Sequence, residues 1–102
     1  MSSSKPFLAS VLEGLALAGD VSVRPMMGEY VLYYRGKVIG GVYDDRLLLK
    51  PTPSARRLLG DAPYAVPYPG AKDLLWVEPP FDPALLREVL LAMHGELPVR
   101  RR

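Results

Sequence analysis

The chain offers a metal ion one imidazole, His94, and no thiol. A zinc or iron site needs three or four nitrogen or sulfur ligands, so no metal is expected. His94 falls in the last turn of a predicted helix, where the helix dipole favours partial positive charge and gives the ring a structural role. The hydroxyls Ser2, Ser3, Ser4, Ser10, Ser22, Thr52 and Ser54 are read as lying in the tail, on the first helix or at caps. None stands in the sharp strand-to-helix turn that exposes a nucleophile. Carboxylates are scattered, and Asp44-Asp45 either points to opposite faces of a strand or occupies a turn, so a paired acid and base would have to be assembled by folding from distant parts. Glycines 28, 36, 40 and 41 fit neither the phosphate-loop spacing nor a glycine-rich entry into a helix. The chemistry expected is therefore recognition rather than catalysis, with no cofactor.

Recognition chemistry is densest from Arg24 to Tyr34, which reads Arg-Pro-Met-Met-Gly-Glu-Tyr-Val-Leu-Tyr-Tyr. Tyrosine and methionine give a surface large contact area with adaptable edges. Arg24, Met26, Met27, Glu29, Tyr30, Tyr33 and Tyr34 are the expected partner-binding residues, for a protein partner or a second copy in a homodimer. A second set, Arg35, Lys37, Arg56, Arg57, Arg100, Arg101 and Arg102, is what a nucleic acid would use. The net charge of +2 owes everything to the last three arginines, without which ten cations face eleven carboxylates. A nucleic-acid surface normally shows a basic stripe on the folded body, so protein binding leads and nucleic-acid binding is the alternative. A small-molecule site between sheet and helices comes third.

These residues need elements to position them. With 102 residues, half of them hydrophobic and a quarter charged, the chain has the composition of one ordinary globular domain. Residues 1–4 and 99–102 read as tails. No apolar run approaches the ~20 residues that cross a bilayer, and the cysteine-free composition suits the cytoplasm. Apolar residues at helical spacing from Phe7 to Ala18 predict a first helix. The pattern then changes to period two: a short strand at Val23 to Met26, then Tyr30–Tyr34 and Val38–Tyr43, joined by a turn at Arg35-Gly36-Lys37. Asp44-Asp45 turns the chain into a strand at Arg46–Lys50. Gly40-Gly41 inside a strand marks a bulge or a close approach of another segment. Thr52-Pro53 opens a short helix that Gly60 ends, and Asp82-Pro83 opens a last one running to Gly95. Between them, prolines make residues 62–70 extended or irregular before a strand at Leu74–Glu78. The expected fold is α+β: a two-layer sandwich, an antiparallel meander sheet with helices before, between and after it.

The same residues carry a family likeness. Arg24-Pro25-Met26-Met27-Gly28-Glu29-Tyr30, then Leu32-Tyr33, Gly36-Lys37 and Asp44-Asp45-Arg46-Leu47, resemble the N-terminal domain of the TfoX/Sxy family. The likeness runs from about residue 5 to residue 98, through Lys50-Pro51-Thr52, Pro67-Tyr68, Gly70-Ala71-Lys72 and Glu96-Leu97-Pro98, as in stand-alone members. Where the family commonly has Met-Phe-Gly-Gly-Tyr-Gly, this chain has Met27, Glu29 and Val31 at the second, fourth and sixth places. The resemblance implies a secretion-chaperone-like two-layer fold. It also implies a link to regulation of natural competence and transcription in bacteria, without the C-terminal helical domain of the two-domain regulators.

Overall fold

The computed structural model describes residues 2–98. Ser4 caps the first helix, α1 (Lys5–Gly14), by accepting the Phe7 amide at 3.2 Å, and Pro6 sits in the first turn where its missing N–H costs nothing. The helix is shorter than its apolar periodicity predicts: after Leu15 the chain tightens into a single 3-10 turn, Ala16–Ala18. The opening residues are tied down as well. Ser3 is buried, donates its hydroxyl to Glu29 and accepts the Asp45 amide at 3.0 Å.

Four strands follow: β1 (Val21–Met26), β2 (Glu29–Tyr34), β3 (Lys37–Val42) and β4 (Leu47–Leu49). Two-residue loops join them, the third closed by the mutual backbone hydrogen bonds of Tyr43 and Arg46 just beyond the strand ends, and in each loop both residues have positive φ: Met27-Gly28 at 52° and 87°, Arg35-Gly36 at 50° and 84°, Asp44-Asp45 at 54° and 55°. That pair of signs is the type I′ turn, whose twist matches the strands it connects and which fixes their register. Lys37 therefore begins β3 instead of closing the turn, and β1 starts at Val21, two residues earlier than predicted. Ile39 is the extra residue of a bulge, because Leu32 pairs with Gly40 while Tyr33 pairs with Val38. Gly40 has φ 152°, and a Cβ there would lie 2.0 Å from the Leu48 carbonyl oxygen. Bulge and close approach, the two readings of this glycine pair, hold together.

Thr52 caps the second helix, α2 (Pro53–Leu59), by accepting the Ala55 amide at 3.2 Å. The chain returns as a two-residue edge strand, β5 (Tyr64–Ala65), within the stretch expected to be extended. It passes through a loop and enters the sheet as β6 (Leu74–Val77). Asp82 then caps α3 (Pro83–His94), accepting the Leu85 amide at 3.2 Å. The sheet is antiparallel throughout, in the order β1-β2-β3-β4-β6-β5. This is the expected α+β architecture.

Alternation along the strands sorts the two faces. Leu32, Tyr34, Ile39, Val42, Leu47, Leu49, Leu75 and Val77 meet Val11 and Leu15 of the first helical segment, Ala55 of α2 and Leu86, Val89, Leu90 and Met93 of α3 in one core. Each of those α3 side chains contributes roughly 1.5–3 kcal/mol by burial. Tyr34 belongs to this core: it is wholly buried, its ring meets His94 edge-on at 5.8 Å and its hydroxyl donates to the Ala18 carbonyl at 3.3 Å. Its place among the partner-binding residues is corrected accordingly. The opposite face carries no helix, yet Leu48 on it is fully buried. The Tyr43 ring lies over Gly41, the register partner of Leu48, and Trp76 flanks Leu48 from β6.

Candidate functional site

Three loops meet at one end of the sheet. The Met27-Gly28 and Asp44-Asp45 turns lie at the same end because the β2-β3 hairpin between them carries the chain down the sheet and back, and the loop from Val66 to Ala71 folds beside them. Between them lies a groove of about 810 Å³, lined by Met26, Met27 and Glu29, by Tyr43, Asp44 and Arg46, and by the Val66–Ala71 loop. Its walls are mostly apolar and exposed: Met26 is 45% exposed, Tyr68 54% and Met27 97%.

The polar groups around the groove are nearly all committed. Glu29 accepts the Ser3 hydroxyl at 2.6 Å and the Asp44 amide at 3.0 Å, which locks the two turns to the opening residues. Asp45 accepts the Ser4 amide at 2.8 Å. Arg46 donates to the Tyr43 carbonyl at 3.1 Å and to the Val66 carbonyl at 3.2 Å, and its guanidinium lies 5.8 Å from the centre of the Trp76 ring. This arginine pins the Val66–Ala71 loop to the sheet. Tyr43 meets Tyr68 edge-on at 6.2 Å. Burial, then Tyr68 and the Glu29 carboxylate, push the Tyr43 phenol above its ordinary 10.0, so it is an O–H donor at neutral pH.

Of the residues expected to bind a partner, Met26, Met27 and Glu29 come together here. Arg24 and Tyr33 lie on the helix-free face, the guanidinium 5.8 Å from the ring centre. Tyr30 packs against the core from the helix side, and Tyr34 is inside it. Sequence reasoning missed Tyr43, Asp44, Arg46 and the Val66–Ala71 loop. The run of proline, tyrosine and glycine at 63–70 is the signal that could have drawn attention to that loop.

The basic set does not form one surface. Arg35 is paired with Asp20 at 3.2 Å and lies over the Tyr34 ring. Lys37 is half-buried and donates to the His94 and Leu97 carbonyls at 2.8 and 2.9 Å, closing the end of α3, so it is corrected from a phosphate contact to a helix cap. Arg56 and Arg57 are exposed in the last turn of α2, and Arg100, Arg101 and Arg102 lie outside the described residues. The space between sheet and helices, the expected place for a small molecule, is filled by the core. Among the described residues no three potential metal ligands converge, and no helix is long and apolar enough to cross a membrane.

The β1 edge is blunted. A two-residue loop makes its flanking pair, Met26 and Glu29, hydrogen-bonded, so the amides of residues 26, 24 and 22 point into the sheet. The backbone groups of Val21, Val23 and Pro25 then face outward along the edge, and Pro25 has no N–H to offer an added strand.

The family known as the TfoX N-terminal domain matches residues 13–84, and the chain belongs to it. Every residue lining the groove lies within that span. The chain is also 36% identical over 104 residues to an uncharacterized 12.7 kDa protein in the trpE 5′ region of Spirochaeta aurantia, covering 96% of this chain and 90% of the relative. No solved structure matches it.

Proposed function

We propose that this TfoX N-terminal domain is a regulatory module, without catalytic chemistry of its own, that docks a partner protein in the groove at the turn end of its sheet. The family is one of regulatory domains rather than enzymes, and a two-layer domain with a fixed apolar groove supplies what such a module needs.

One observation carries the reading. Met27 occupies the first central position of a type I′ turn, at φ 52°, with 97% of its surface exposed. An ordinary side chain in the left-handed region costs roughly 1–2 kcal/mol, which glycine avoids and asparagine reduces. An exposed methionine regains none of that by burial. The residue works against the fold and in favour of a surface, next to Met26, Val66 and Tyr68, which are exposed beside it. Flexible thioethers and aromatic rings around a concave site are the composition of adaptable protein-binding surfaces.

The test is quantitative affinity capture from the native cell with the parent domain, a Met27→Ala variant and a Tyr68→Ser variant. A partner retained by the parent and lost by both variants, each still folded by circular dichroism, is the expected result. A partner retained equally by all three would place binding elsewhere on the domain.

A further inference from the structure

The groove holds a polar group that the fold does not use. Tyr43 is only 8% exposed, its ring is fixed between Gly41 and Tyr68, and its hydroxyl has no hydrogen-bond partner among the described residues, although the residue lines the groove. The packed ring holds the hydroxyl at the groove surface in a fixed direction, so it can donate to an acceptor that arrives there without first being ordered. A peptide carbonyl is such an acceptor. The charges at the mouth are asymmetric as well. Glu29 and Asp44 present carboxylates, whereas Arg46, the one cation of the lining, directs its Nε and Nη2 to the Tyr43 and Val66 carbonyls, so the two carboxylates outweigh it by one charge. Asp45 adds a third carboxylate just outside. The Asp44 side chain has no partner among the described residues.

Resting on the docking reading above, we propose that the groove takes a short apolar peptide segment flanked by lysine or arginine. Its apolar side chains lie against Met26, Met27, Val66 and Tyr68, a backbone carbonyl accepts from the Tyr43 hydroxyl, and the cation sits at Glu29 and Asp44. The three chemistries are those the groove presents together: adaptable apolar walls, one oriented hydroxyl donor and a negative mouth. An acidic segment would set its carboxylates against those of the protein, and like charges at contact distance are the usual means by which a site rejects a wrong partner. A purely basic segment would leave the apolar walls in water.

The experiment is fluorescence anisotropy with three labelled synthetic peptides: Leu-Leu-Lys-Arg, its charge-reversed form Leu-Leu-Glu-Glu, and Ser-Ser-Lys-Arg. Only the first is expected to bind well, and more tightly as salt is lowered. Tyr43→Phe, which keeps the ring and removes the donor, should weaken it by about fivefold. Asp44→Asn, tolerated at positive φ, should weaken it by about two- to threefold and flatten the salt dependence. Equal binding of the acidic peptide, or unchanged binding to both variants, would overturn the assignment of ligand chemistry. So would failure of all three peptides to bind. The capture comparison with Met27→Ala judges the docking reading separately, so the two fail independently.

Discussion

Replacing Met27 with asparagine should make the domain more stable and less able to bind. The magnitude follows from the turn. Met27 at φ 52° carries the left-handed penalty of roughly 1–2 kcal/mol, and asparagine removes about half of it through its local backbone hydrogen bond. The side chain is 97% exposed, so almost no burial is lost in exchange. The net gain is about 0.5–1 kcal/mol, a rise in Tm of roughly 2–8 °C for a domain of this size. The Arg35-Gly36 turn provides an internal control with nearly the same angles, 50° and 84°. Arg35, however, is paired with Asp20 and lies over Tyr34, so Arg35→Asn should gain less than Met27→Asn. Thermal and urea denaturation followed by circular dichroism read both variants, and the Met27→Ala variant separates strain from contact by losing binding without gaining stability. A fall in Tm for Met27→Asn would refute the reasoning, because it would mean that methionine supports the fold.

Gly40→Ala should cost more than about 3 kcal/mol, since it combines a forbidden φ with a Cβ placed against the Leu48 carbonyl, and urea unfolding should show it as a shift of midpoint or as failure to fold. Tyr34→Ser should cost about 3 kcal/mol or more as a truncated core aromatic, and Tyr33→Ser on the half-buried opposite face less than half of that. Glu96 accepts the Ser54 hydroxyl and amide at the start of α2, which lowers its pKa below the ordinary 4.5. Its contribution to stability is therefore complete above about pH 4.5 and is lost as pH falls through the lower folded value. Glu96→Gln should flatten the pH dependence of the unfolding midpoint within that acidic window, and an unchanged slope would contradict the assignment.

Most of the fold was legible because its signals are local. Ser4, Thr52 and Asp82 each precede a proline near a helix start, and each caps that helix. Polar and glycine-bearing pairs between alternating runs became two-residue hairpin loops. What local pattern could not supply was depth. Tyr33 and Tyr34 look alike in sequence, but the pleat sends one to the helix-free face and the other into the core. The apolar run through Ala18 reads as helix, and the 3-10 turn after Leu15 interrupts it. The insertion of β6 between β4 and β5 is decided by long-range pairing, so the Val66–Ala71 loop could not be placed beside Met27 from the sequence. For that reason only half of the groove was visible: Met26, Met27 and Glu29 were read from one hairpin, while Tyr43, Asp44 and Arg46 belong to a turn that looked merely structural.

The central claim is that a partner protein occupies the turn-end groove, and site-specific photo-cross-linking in the native cell tests it most directly. A photoreactive residue is placed at Met27 in one variant and at Glu88, exposed on α3, in another. The account expects a discrete protein adduct from position 27 that disappears when Tyr68→Ser is added, and none from position 88. An adduct from position 88 alone, or one from position 27 that survives Tyr68→Ser, would contradict it.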